Sequence, residues 1–333
     1  GPVVTADPEA LTPPAEGIQV DDVIRAVGAT AVHTPEDVIA AVGRYRAGDT
    51  ATIGYLRSDI LHQPSLVLRP FPGETSPGVT FEYGSVKLSD GSRLRTVVSI
   101  PDRRQGPVPA VMLIQGGGCG SIDAPMAADV GQPGLIRTIA AQGYATMRVE
   151  KSGVGDSQGP SCAAIGYGQE LEGYLSALVA LKRHPSVDQE RVYLLGISLG
   201  GVFAPMLARE GGVKGIIVYG TLAAAPSPYP GRSERFFSEF AGVDVPAAWS
   251  VVQAHVLSVY GEFDETAPRD HHARIAAIVN ARHPGRATLK ELPGLDHCWT
   301  RHETRAKSVG NCGNGTKVST LGDAIVAFLA STN

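Results

Sequence analysis

Residues 193–208 read YLLGISLGGVFAPMLA. Tyr193-Leu194-Leu195 continue an apolar run, and the segment from Val202 onward has the composition of a helix. Between them stands Gly196-Ile197-Ser198-Leu199-Gly200-Gly201, a strand-to-helix turn. Small residues flank Ser198 because the backbone there doubles back on itself. The start of the helix favours negative charge developing beside the hydroxyl. The pattern makes Ser198 a candidate nucleophile rather than an incidental turn serine.

A serine hydroxyl near pH 7 needs an adjacent base. The chain has nine histidines, and their positions separate them. His33 and His62 lie in a compositionally distinct first region, and His184 and His283 close helices. His271-His272 opens a helix, His302 lies in a loop with little periodicity, and His255 begins a strand at the wrong end of a sheet. His297, in "LPGLDHCWT", follows the last strand, where a loop can overhang the serine. The acid belongs between the two, on the loop after the preceding strand, which gives the chain order Ser, acid, His. "LSVYGEFDETAP" offers Asp264 as the best-placed carboxylate, with Glu262 as the fallback. Asp296 ranks low because immediate neighbours rarely face each other.

Composition sets the frame around these residues. The chain has 333 residues, 43% of them hydrophobic and 19% charged, with a net charge of −4. That balance describes a globular protein with a sizeable core and argues against a nucleic-acid partner. No apolar run approaches the roughly 18–20 residues that span a bilayer. The start, Gly1-Pro2, reads as trimmed.

Residues 1–72 hold short strand-like runs and one helix, announced by Thr34-Pro35-Glu36-Asp37 as N-cap, first-turn proline and acidic first turn. "DTATIGYLRSDILHQPSLVLRP" reads as two strands joined near Ser58-Asp59, without the strongest turn signature. A linker dense in Pro and Gly covers 73–78. From residue 79 to 333, apolar strands alternate with helical segments, and a hairpin at Ser89-Asp90-Gly91 opens the series. That alternation predicts a mostly parallel sheet covered on both faces, with its site at the carboxyl ends of the strands. An insertion at 221–252, rich in Pro and aromatics, interrupts the pattern.

Two families are resembled. "GIQVDDVIRAVGATAVHTPEDVIAAV" resembles the core of a PDZ domain, with Asp21 where that family usually carries glycine. Its carboxylate-binding loop precedes the strand matching residues 3–6 and so falls before Gly1. The resemblance implies a small α+β domain that binds peptide ends by strand addition or serves to position its neighbour. Residues 79–333 resemble the α/β-hydrolases through "GISLGG", "GEFDETAP" and "GLDH", in that order. "VEKSGVGDSQGP" is also similar to that family's Asp-x-Arg-Gly-x-Gly-x-Ser turn, with Lys151-Ser152 in place of the usual Arg.

The second resemblance implies serine attack on an ester, thioester or amide carbonyl, with water as final acceptor, no cofactor and no metal. The expected substrate is a small to medium acyl ester or thioester, with a serine peptidase fed by the PDZ-like module as the alternative. It also gives a role to "LIQGGGCGS" (residues 113–121), where Gly117 and Leu199 would donate N–H groups to an oxyanion. Gly118 is a substitute for Gly117, and Gln115 replaces the family's histidine. The loop lacks the Gly-Lys-Ser/Thr of a phosphate loop and a helix start for a dinucleotide fingerprint. Phe236, Phe237, Phe240 and Trp249 of the insertion are expected to shape the substrate pocket or to pack it onto the core.

Four cysteines allow three pairings. Cys298 and Cys312 bracket a loop that a crosslink would restrain. Cys119 is expected to brace its loop rather than to react, with Cys162, on the next loop facing the site, as its expected partner; the connectivity stays open, and four free thiols are the alternative. Disulfides imply a periplasmic or secreted protein.

Overall fold

The computed structural model describes residues 18–45, 47–68, 73–122 and 131–332. The strand expected at 3–6 and most of the loop-like stretch after Ser121 lie outside these residues. The chain divides into two compact units, Gly1–Glu74 and Thr75–Asn333.

In the first unit the elements are β1 (Val23–Val27), β2 (Thr30–Ala31), α1 (Pro35–Val42), β3 (Thr50–Arg57), β4 (Ile60–His62) and β5 (Ser65–Val67). They form one antiparallel sheet in the order β2-β1-β3-β4, with β5 also on β3. At the start of α1, Thr34 Oγ1 accepts from the Asp37 N–H, and the Asp37 carboxylate accepts from the His33 and Thr34 N–H groups. This reciprocal cap satisfies donors the helix cannot. Ser58 and Asp59 both adopt positive φ, 48° and 64°, so they make the turn usually given to Asn-Gly. Asp21 has φ 73°, a conformation in which glycine carries no steric penalty. Val27, Val32, Ala51, Ile53 and Tyr55 form the core of this unit.

The second unit begins with the hairpin β6 (Val79–Lys87) and β7 (Arg93–Pro101), followed by β8 (Val108–Ile114), α2 (Gly131–Ala141), β9 (Ala145–Val149) and α3 (Tyr167–Lys182). Next come β10 (Val187–Ile197), α4 (Leu199–Gly211), β11 (Gly215–Tyr219), α5 (Glu234–Ala241), α6 (Val245–Ser250), β12 (His255–Gly261), α7 (Arg269–Arg282) and β13 (Ala287–Leu292). The chain closes through β14 (Thr300–Arg301), α8 (Arg305–Ser308), β15 (Thr316–Lys317) and α9 (Thr320–Thr332). Eight strands form one sheet in the order β13-β12-β11-β10-β8-β9-β7-β6. It is parallel except where β7 meets β6 and β9. This is the mixed sheet of an α/β-hydrolase-like fold.

Register sets the position of the site. Gly196 pairs with Ile114 and Ile197 with Tyr219, so the loops after β8, β10 and β11 leave the sheet at one edge. Each face of the sheet buries its own apolar cluster. One gathers α3 to α7 around Leu178, Leu194, Phe203 and Trp249. The other gathers α2 and α9 around Ile139, Leu195, Ile325 and Leu329. Each fully buried Leu, Ile or Val contributes about 1.5–3 kcal/mol through the water it sheds.

The insertion between β11 and β12 carries α5 and α6, capped by Ser233 and Asp244. Phe236 is 0%, Phe240 1% and Trp249 0% exposed. The Tyr167 ring stacks 4.4 Å from Phe240 and 5.0 Å from Phe203. These aromatics clamp the insertion onto α3 and α4, so the pocket role expected for them does not hold. Phe237 is half-buried against Tyr229, and Tyr229 reaches the cavity in its stead. Apolar faces at helical spacing were drawn into the core, where burying them sheds the most water. Among the described residues, no helix is long and apolar enough to cross a membrane.

Candidate active site

Ser198 stands at the junction of β10 and α4 with φ 53° and ψ −122°. The glycines around it answer to close contacts. A Cβ on Gly196 would lie 2.6 Å from the Gly201 Cα, and one on Gly200 would lie 2.0 Å from the Ile114 carbonyl oxygen. The turn therefore stores strain at one non-glycine residue, held by packing on both sides.

The Ser198 Oγ lies 3.0 Å from His297 Nε2, and His297 Nδ1 lies 2.9 Å from Asp264 Oδ2. Asp264 is 2% exposed, and its other oxygen accepts from the Thr266 and Ala267 N–H groups at 2.8 and 2.9 Å. A Cβ on Gly220 would meet His297 at 2.9 Å and Asp264 at 3.0 Å, so glycine is what leaves room for the pair. Glu262 takes no part in this chain and accepts from the Gly294 N–H instead.

The loop bearing His297 is organised by Asp296. Its carboxylate accepts from the backbone N–H groups of Cys298, Thr300 and Gly313, from the Thr300 hydroxyl, and from His302 Nε2 at 2.8 Å. Burial by itself would raise its pKa, but the Thr300 and His302 hydrogen bonds prevail and hold it below the ordinary value. The Tyr219 hydroxyl donates to the Asp296 carbonyl at 2.5 Å. A disulfide between Cys298 and Cys312 closes the loop.

His271 and His272 have a different task. His271 Nδ1 accepts from the Ala223 N–H at 3.0 Å, and His272 Nε2 accepts from the Thr221 N–H at 3.3 Å. His272 donates through Nδ1 to the Ser258 hydroxyl, 3.0 Å away. Burial, opposed by Asp264, brings its pKa down to about 4, so the ring is a neutral acceptor that fixes the segment beside Gly220.

Opposite His297 lies the glycine loop after β8. A Cβ on Gly116 would sit 3.3 Å from the Ser198 Cβ. The loop is tethered by a disulfide between Cys119 and Cys162. Glu150 accepts from the Ile122 N–H, and Arg148 donates to the Ile122 carbonyl. Beneath it is a charged cluster that sequence reasoning missed. Lys151 donates to the carbonyls of Gly116 and Gly118 at 2.5 and 2.9 Å, and Arg232 donates to that of Gly117 at 3.4 Å. Both cations pair with Glu170. The three side chains are 1%, 0% and 2% exposed, respectively. Burial lowers the Lys151 pKa, with Glu170 opposing and Arg232 adding to the shift. One signal was available: Glu170 shares the stripe Tyr167, Tyr174, Ala177, Leu178 and Leu181 that α3 buries.

A cavity of about 1310 Å³ opens over Ser198. Gly116, Gly117, His297, Leu222, Tyr229 and Trp299 are among the residues that line it.

A family model for the X-Pro dipeptidyl-peptidase (S15 family) matches residues 90–307. The uncharacterized peptidase YtmA of Bacillus subtilis (strain 168) is 24% identical over 205 residues, covering 57% of this chain and 76% of its own. Among solved structures, Est1E of Butyrivibrio proteoclasticus with bound ferulic acid superposes with a TM-score of 0.57 at 18% identity, covering 75% of this chain and 98% of that one. Dipeptidyl peptidase 4 of Porphyromonas gingivalis gives 0.57 at 18% identity over 87% of this chain and 41% of its own. These likenesses show the fold. With the matched segment spanning most of the second unit, the chain is a hydrolase that belongs to the X-Pro dipeptidyl-peptidase (S15) family.

Proposed function

We propose that the protein is a serine hydrolase that cleaves an ester or thioester carbonyl through an acyl-enzyme. The observation that carries this reading is the continuous hydrogen-bonded chain from Ser198 through His297 to Asp264 at the floor of the cavity. In it Asp264 accepts a hydrogen bond from the His297 Nδ1–H, which leaves Nε2 free to take the Ser198 proton as the hydroxyl attacks. The same proton then goes to the leaving group, and water repeats the sequence to release the acid. The N–H groups of Gly117 and Leu199 receive the oxyanion, at the N-terminus of α4. Among the described residues, the cavity wall is mostly glycines, hydroxyls and apolar side chains, joined by the Gln132 amide, the His297 ring and Cys298, with Lys317 as its one lysine or arginine and no carboxylate. Such a wall suits an uncharged acyl group. This chemistry needs no cofactor.

A second reading, a serine peptidase of prolyl-oligopeptidase-like type, is favoured by the family match. Under it the N-terminal unit is a PDZ-like module presenting peptide ends. The two disulfides suit an oxidising compartment, the periplasm or outside the cell.

A panel of nitrophenyl esters, acyl thioesters and X-Pro anilides tests the reading with wild type and Ser198→Ala. Esters or thioesters are expected to turn over fastest, and Ser198→Ala to lower kcat by about 10⁴–10⁶. Faster cleavage of the anilides, graded by the C-terminal sequence of longer peptides, would replace the esterase reading with the peptidase one.

A further inference from the structure

The glycine loop is held in an unusual way. Its three consecutive carbonyls, those of Gly116, Gly117 and Gly118, all accept from buried cations, Lys151 and Arg232. Nothing in the serine–histidine–carboxylate chain requires this. Two cations meet one carboxylate, Glu170, which also accepts from the Tyr174 hydroxyl at 3.5 Å. The cluster therefore sets two basic groups against one carboxylate behind the loop, while the Gly116, Gly117 and Gly118 backbone lines the cavity in front.

The Gly116 carbonyl and the Gly117 N–H belong to one peptide plane. In a trans peptide they point in opposite directions, and no cis bond occurs among the described residues. A cation on the Gly116 oxygen thus fixes the plane and aims the Gly117 N–H away from itself. It also draws electron density toward the oxygen, which makes that N–H a stronger donor, as in any hydrogen-bonded chain. Arg232 does the same, at longer range, for the Gly118 N–H.

We propose that Lys151, supported by Glu170 and Arg232, is a positioning residue that orients and polarises the Gly117 N–H as an oxyanion donor. The inference rests on the serine-hydrolase reading of Ser198 and Gly117. Its ligand is the tetrahedral oxyanion and not the substrate, because polarisation matters most where full charge develops.

The test uses the intact chain and an alkyl trifluoromethyl ketone. Ser198 Oγ adds to the ketone carbon, its proton passes to His297, and the carbonyl electron pair becomes an oxyanion in the loop. Lys151→Met leaves Glu170 paired with Arg232 and removes the cation from the Gly116 and Gly118 carbonyls. It is expected to lower kcat about tenfold to hundredfold, to leave KM within about threefold, and to weaken the ketone by the same factor as kcat. Lys151→Arg should restore part of both losses. Arg232→Met, whose effect falls on the Gly118 N–H, should cost less in both, and it stands in should Lys151→Met fail to fold. Wild-type ketone affinity in a folded Lys151→Met protein would overturn the inference, as would a larger loss in Arg232→Met. Absence of a wild-type adduct, or an equal adduct in Ser198→Ala, would instead overturn the reading of Ser198.

Discussion

The two loops that flank Ser198 are built with opposite electrostatics. Asp296 is an anion that gathers the N–H groups of its own loop, whereas Lys151 and Arg232 are cations from other segments that gather the carbonyls of the glycine loop. The consequence differs accordingly. A loop whose N–H groups are consumed internally presents a side chain, here His297. A loop whose carbonyls are consumed leaves its N–H groups for a ligand. Each loop also carries a disulfide, over 14 residues for the histidine side and 43 for the glycine side. The tethers are alike, and the buried charge decides which backbone group faces the cavity.

Removing either buried anion is expected to have the largest effect. Glu170→Gln leaves two cations buried without a counter-charge, and Asp296→Ala strands four donors and His302. Each is expected to destabilise the fold by about 3–5 kcal/mol in denaturant titration, as buried partners do when left unpaired. The loops should then separate in effect. Asp296→Ala is expected to slow Ser198 acylation by displacing His297, and Glu170→Gln to spare the His297 geometry.

The disulfides come next. In the chain-entropy model, opening Cys119–Cys162 costs about 4 kcal/mol and opening Cys298–Cys312 about 3 kcal/mol, since the longer loop gains more freedom. Paired Cys→Ser variants compared by urea midpoint should keep that order. The reverse order would mean that the histidine loop depends on its tether more than on Asp296.

Acid gives a smaller, graded effect. The His272 pKa of about 4 lies below the ordinary 6.5, so the unfolded chain takes up a proton that the folded one refuses. The stabilising contribution is complete above pH 6.5 and is lost as pH falls toward 4, to a limit of about 3 kcal/mol. His272→Gln should flatten that part of the stability–pH curve. An unchanged slope would remove His272 from the explanation.

Much of this arrangement was legible in the sequence. Glycines around Ser198, strands of continuous apolar residues and the order of "GISLGG", "GEFDETAP" and "GLDH" point to one sheet edge. The structure brings Ser198, His297 and Asp264 into a single hydrogen-bonded chain there. What was not legible depends on contacts between distant segments. Lys151, Glu170 and Arg232 come from a strand end, a helix and the insertion, and no local pattern links them. The aromatics of the insertion are ambiguous in sequence for a related reason. Phe236, Phe240 and Trp249 look the same in sequence whether they face a pocket or α3 and α4, and only the packing distinguishes the two. Asp296, beside the histidine, is set apart from the His297 ring by its adjacency, but nothing local shows that it gathers the backbone of its loop.

Ser198, activated by His297, is the proposed nucleophile. The most direct measurement is intact and peptide mass spectrometry after exposure to a fluorophosphonate probe. One adduct per chain is expected, mapped to Ser198, absent in Ser198→Ala and formed far more slowly in His297→Ala. An adduct on any other residue, or equal labelling of Ser198→Ala, would contradict it.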